Sequence, residues 1–145
     1  MISNERGYTL IELLVVLMII SIIGSITLIY IQSPYSSFES NHTISQFEND
    51  LYYAQQLAIS NGIPAYFYIN SSRNFYAIRQ DNQNVFEQSF NANVSFERGS
   101  LDVYDIKFLA NGNISKSGTL FMNVGTKSYA IVFLIGKGRF YFEER

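Results

Sequence analysis

The chain has 145 residues, a formal charge of −2, no cysteine and a single histidine, His42. Without cysteine it has neither a disulfide framework nor a thiolate metal site, and one imidazole leaves the common catalytic pairings and transition-metal clusters short of their parts. Near-neutral charge combined with 11 Tyr and 12 Phe is not the composition of a disordered chain.

The first element is an apolar run. From Leu13 to Ile31 there is no charged residue. At roughly 1.5 Å per residue, a helix from Leu10 to Ile31 approaches the roughly 30 Å hydrocarbon core of a bilayer, so the run reads as a membrane span. A buried core helix seldom runs this long at an N-terminus. A secretory signal needs a more basic front and a small-x-small cleavage site. Here Arg6 is the only positive charge ahead of the run, and Ser21, Gly24 and Ser25 make a poor site. Glu12 stands at the head of the run, where a carboxylate inside the bilayer costs about 2.5 to 3.5 kcal/mol. It either serves a purpose or lies at the interface.

Arg6-Gly7-Tyr8-Thr9-Leu10-Ile11-Glu12 closely resembles the processing motif of type IV pilins and pseudopilins. The resemblance implies a leader at 1–7 removed by a prepilin peptidase after Gly7, with Tyr8 as the new, N-methylated terminus. It also implies that Glu12, the fifth mature residue, serves filament assembly. A freed α-amine has a reference pKa near 7.7 to 8.0, so an incoming subunit's ammonium can pair with a neighbour's Glu12 in a low-dielectric filament core. Removing one partner from such a buried pair costs roughly 3 to 5 kcal/mol. Two positions depart from the family pattern: Tyr8 replaces the usual Phe, and Ile29 stands where many pilins have a proline. The implied partners are the peptidase, the major and other minor pseudopilins, and, indirectly, an assembly ATPase and an inner-membrane platform protein. The implied topology is single-pass, with the leader cytoplasmic and the C-terminal region outside.

After the span, "SPYSSFES" contains Pro34 and four serines, a composition that loosens a helix. Ile44, Phe47, Leu51, Ala54 and Ala58 then recur at three- and four-residue steps, the stripe of an amphipathic helix. Ser60-Asn61-Gly62 followed by Ile63-Pro64 supplies its stop. The segments are therefore a transmembrane and assembly helix at 8–31, a linker and amphipathic helix at 32–62, and a β-rich region at 63–145. In that last region "IPAYFYIN" and "NFYAIRQ" read as a strand pair, with "NVFEQSF" a third strand. Asn111-Gly112 marks a turn. "TLFMNV", "SYAIVFLI" and "RFYFEE" form a closing antiparallel set, the last two joined at Gly136-Lys137-Gly138. Both faces of Tyr129 to Ile135 are apolar, which places that strand centrally. The expected fold is α+β, with a long N-terminal helix whose second half packs on an antiparallel sheet domain.

"DLYYAQQLAISNGIPAYF", "IKFLANGNISKSGTLFM" and "GKGRFYF" are similar to minor pseudopilins of the secretion H and fimbrial T type and of competence systems. This implies a non-enzymatic filament subunit, with DNA uptake the leading role and type II secretion or a type IV pilus the alternatives. A signal-anchored extracellular binding domain and a membrane-anchored enzyme are the other classes. No cofactor or metal motif is present. His42 lies in a polar segment, while Asp102, Asp105, Glu143 and Glu144 read as solvated charges. Lys127, Lys137, Arg139 and Arg145, interleaved with Tyr129, Phe140 and Tyr141, are candidate DNA contacts that would join phosphate attraction to base stacking.

Overall fold

The computed structural model describes residues 9–91, 93–136 and 138–145, and for 26–39 the helical backbone alone. One helix, α1, runs Leu10–Asn61, followed by eight strands: β1 Ala65–Asn70, β2 Phe75–Gln80, β3 Gln83–Ser89, β4 Val94–Arg98, β5 Lys107–Phe108, β6 Gly118–Val124, β7 Lys127–Phe133 and β8 Phe140–Glu144. The chain divides into two compact units, 1–38 and 39–145. The helical assignment continues through the serine-rich stretch around Pro34, where the composition predicts loosening. One proline removes a single intrahelical hydrogen bond, and the flanking turns keep theirs.

In the first unit, the apolar side chains from Leu10 to Ile23 are at least half exposed, from 50% at Val15 to 79% at Leu10. A helix that is apolar on every side is at home only when something surrounds it. Among the described residues no helix is long and apolar enough to cross a membrane. The expected span at 8–31 continues past Ser25 into positions whose side chains lie outside the description.

The second unit is an α+β domain with two antiparallel sheets, ordered β3-β2-β1-β5 and β4-β6-β7-β8. The helical stripe behaves as its spacing predicts: Ile44, Phe47, Leu51, Ala54 and Ala58 are all buried. They join one core with Phe67 and Ile69 of β1, Ile78 of β2, Leu120 and Met122 of β6, and Ile131 and Phe133 of β7. Phe47 is the hub of this core. Its ring lies 5.3 Å from Phe67 and 5.2 Å from Tyr76 in the first sheet, and 5.3 Å from Phe96 and 6.4 Å from Phe142 in the second. Helix α1 ends where expected, with Gly62 at φ +67°.

The predicted hairpins form. β1 and β2 pair from Tyr66↔Arg79 to Asn70↔Phe75, and β2 pairs with β3 across Asp81-Asn82, both at positive φ as a type I′ turn requires. β7 lies between β6 and β8, the central position expected of it; Tyr129, Ile131 and Phe133 are buried on one face, while on the other Ala130 is buried and Val132 half-buried. β4 was not expected: it pairs with β6 from Val94↔Val124 to Arg98↔Leu120, so the strands fall into two sheets rather than one. The Asn111-Gly112 turn closes a minimal hairpin in which Leu109 N donates to Asn113 O at 2.8 Å.

A buried glutamine ties three elements together. Gln55 Nε2 donates to Gly112 O at 2.7 Å and to Gly138 O at 2.8 Å, linking α1 to the Asn-Gly turn and to the β7–β8 connection.

Candidate assembly site at the helix N-terminus

Gly7 and Tyr8, the expected cleavage junction and methylation site, lie outside the described residues. Glu12 lies within them, and its surroundings explain part of its presence. Thr9 precedes the first helical residue, and Glu12 occupies the third position of the helix. Glu12 Oε2 accepts the Thr9 backbone N–H at 3.1 Å and the Thr9 hydroxyl at 3.2 Å, while Glu12 N donates to Thr9 Oγ1 at 3.4 Å. This is a capping box, in which two otherwise orphaned backbone donors are satisfied reciprocally. A carboxylate in the first turn also faces the positive end of the helix dipole.

The sequence reading named Glu12 but missed Thr9. The signal was available: Thr-x-x-Glu just before an apolar run marks a helix start. The apolar length drew attention to what Glu12 costs, and the capping role answers that cost locally. The carboxylate is nonetheless exposed, so an approaching cation can reach it.

The three candidate DNA contacts within the described residues do not all converge: Lys127 and Arg145 lie at one end of the β7–β8 hairpin and Arg139 at the other. Lys127 Nζ donates to Asn41 Oδ1 at 3.0 Å and lies 3.6 Å from Glu144 Oε1. The Arg145 guanidinium sits 4.5 Å from the centre of the Phe121 ring. Arg139 is at the other end of the β7–β8 hairpin, its carbonyl accepting Leu134 N–H at 2.9 Å. With seven residues in β7 the two ends are roughly 20 Å apart. Lys137 lies outside the described residues. Of the interleaved aromatics, Tyr129 and Phe140 are core residues at 8% and 5% exposure, so neither offers a face to a base.

The remaining polar candidates behave as solvated groups. His42 is exposed. Asp105 pairs with Lys116 and accepts from Asp102 N, contacts that together hold its carboxyl below the usual range. Asp102 faces Arg98 at 3.8 Å. Among the described residues no three potential ligands gather for a metal ion.

One polar contact is set deeper. The Tyr76 hydroxyl donates to Asp50 Oδ2 at 2.5 Å, joining α1 to β2. Burial raises the Asp50 pKa and the hydrogen bond from Tyr76 opposes that rise. Burial first, and then the Asp50 carboxylate, raise the Tyr76 phenol above the usual tyrosine range.

A helix preceding an antiparallel sheet domain, with a capped carboxylate at its head, defines a pilin-like α+β fold. Residues 2–28 match the prokaryotic N-terminal methylation motif. Among solved structures, the minor pseudopilin EpsH from the Type 2 Secretion System of Vibrio cholerae is similar in fold. The TM-score is 0.53 at 14% identity, covering 73% of this chain and 97% of that one. None of the curated proteins matches the chain.

Proposed function

We propose that this chain is a minor pseudopilin, a structural and non-catalytic subunit of a type IV pilus-like filament. Its leader is cut after Gly7 by a prepilin peptidase, Tyr8 is methylated, and the apolar helix anchors the subunit in the membrane before assembly. The observation that carries the reading is the head of α1. There an exposed helical segment, apolar on all sides, lies within the matched N-terminal methylation motif and presents one exposed carboxylate at Glu12. The EpsH-like fold supports the same reading.

Within this class we favour the competence pseudopilus for DNA uptake, with the leader cytoplasmic and the globular unit outside. The support is the likeness of "DLYYAQQLAISNGIPAYF", "IKFLANGNISKSGTLFM" and "GKGRFYF" to competence pseudopilins, a likeness shared with the secretion H and fimbrial T types, together with Arg6 ahead of the apolar run for the orientation. N-terminal mass spectrometry of membrane-extracted protein tests the class. N-methyl-Tyr8 is expected, and an uncut Met1 or cleavage beyond Gly24 overturns it. Deleting the gene and scoring DNA uptake, protein secretion and surface motility in parallel tests the system: loss of uptake alone is expected.

A further inference from the structure

The outer face of the first sheet carries an aromatic and cationic surface that neither the core nor the assembly site uses. Tyr66 of β1 is opposite Arg79 of β2 on one side and Lys107 of β5 on the other, so the three form a row across the sheet. All three point away from the core, since Phe67, Ile78 and Phe108 between them point inward. The Arg79 guanidinium lies 4.2 Å from the centre of the Tyr68 ring, and Lys107 Nζ lies 4.7 Å from that of Tyr66. Tyr104, 71% exposed, stands 6.3 Å from Tyr68. Tyr66, Tyr68, Arg79, Asn82 and Tyr104 line a concavity of about 220 Å³, room for one side chain, and Lys107 stands beside it over the Tyr66 ring.

Two features make this more than a solvated sheet face. Tyrosines 48% and 71% exposed, Tyr66 and Tyr104, flank the concavity, and Tyr and Arg are the residues that dominate interface energetics. Moreover, among the described residues neither Arg79 nor Lys107 has a carboxylate partner, whereas Lys116 and Arg98 do. Arg79 Nε donates to Asn84 Oδ1 at 2.7 Å, which fixes the guanidinium while its terminal nitrogens retain their capacity for a bidentate carboxylate. Cations held over rings have already lost much of their rotamer freedom, so the ordering cost of binding an anion there is low.

We propose that this face docks a protein partner through an Asp- or Glu-bearing segment, with one carboxylate side chain seated between Arg79 and the Tyr66–Tyr104 concavity. A nucleic acid fits less well. The cations already cover faces of Tyr66 and Tyr68 that bases would need, and Glu87 stands on the same strand set, accepting from Asn84 at 3.0 Å. Two cations on a chain of net charge −2 suit a short acidic segment better than a polyanion. The inference stands apart from the filament reading, because the face belongs wholly to the globular unit and any acidic envelope protein could occupy it.

The test is photo-cross-linking in intact cells with a benzoyl-phenylalanine in place of Tyr104 of the full chain, followed by mass mapping of the adduct. The expected adduct maps to an Asp- or Glu-bearing surface of another protein. Its yield should fall by about tenfold in Lys107→Glu and recover when the mapped carboxylate is changed to Lys. Thermal melting of the detergent-extracted variant checks that the domain is intact. Since Lys107→Ala is the milder change, a fall there with unchanged melting supports the same conclusion. An adduct with nucleic acid, an adduct indifferent to Lys107, or no adduct would each overturn the proposal.

Discussion

Thr9 and Glu12 satisfy each other across the first turn of α1, the carboxylate accepting both the N–H and the hydroxyl of Thr9. Glu12 therefore combines a local role in starting the helix with the intersubunit role proposed for it, and the two can be separated. Glu12→Gln keeps an acceptor for Thr9 N–H and removes the charge, whereas Glu12→Ala removes both. If the charge serves assembly, both variants should be cleaved and methylated normally, yet fail to cross-link into filaments. If capping alone matters, Glu12→Gln should assemble like the wild type. Circular dichroism of the extracted protein reads the helix, and cross-linking reads assembly.

Among the described residues, Phe47 is the one helical side chain whose ring meets rings from both sheets. It is 1% exposed. Phe47→Ala should destabilise the globular unit by about 3 to 5 kcal/mol, the usual cost of emptying a buried aromatic site. Phe47→Leu should cost distinctly less. Urea unfolding followed by tyrosine fluorescence checks both.

Gln55 supplies hydrogen bonds to two carbonyls that share no strand, Gly112 O and Gly138 O. Gln55→Leu keeps the volume and leaves both acceptors without that partner, for an expected cost of about 1 to 3 kcal/mol. Gly138→Ala attacks the same junction from the other side. With φ at +56°, an added Cβ would fall 1.9 Å from Gly112 O and 2.2 Å from Gln55 Nε2, so the connection must shift. Hydrogen exchange should show faster opening around 134–139 in both variants, with the β1–β2 hairpin less affected.

Much of this architecture was legible in the sequence because its signals are local. The stripe from Ile44 to Ala58, the Gly62 stop, the Asn111-Gly112 turn and the apolar faces of β7 each follow from neighbours within a few residues. What was missed depends on distant pairing. β4 is five residues long, with only Val94 fully buried, and it earns its place by pairing with β6, which begins about 20 residues later. The division into two sheets is likewise set by which edges meet, and β5, two residues long, has almost no pattern to read. The basic residues near the C-terminus show the converse. Nearness in sequence within a hairpin does not mean nearness in space, since Lys127 and Arg139 mark opposite ends of the same pair of strands.

The Asp50–Tyr76 contact makes a prediction about pH. Asp50 has its pKa raised in the folded state, chiefly by burial. A carboxyl with a higher folded than unfolded pKa favours folding when it is protonated. Its contribution is complete below the unfolded value of about 3.9 and is lost as pH rises through the folded value. Replacing it with a neutral isostere should remove that dependence. Asp50→Asn keeps an acceptor for the Tyr76 hydroxyl and carries no charge into the partly buried site. The variant should therefore be more stable than the wild type at pH 7, and its advantage should shrink as pH falls and disappear once Asp50 itself is protonated. Tyr76 has the same sign: its raised pKa gives a contribution that is complete below about pH 10 and is lost at higher pH. Tyr76→Phe should abolish that alkaline loss, and at neutral pH it should destabilise the unit by leaving the Asp50 carboxylate without its hydroxyl donor. Urea midpoints for the wild type, Asp50→Asn and Tyr76→Phe across the pH range test both signs. A difference between Asp50→Asn and the wild type that stayed constant from acid to neutral pH would show that Asp50 does not titrate differently on folding.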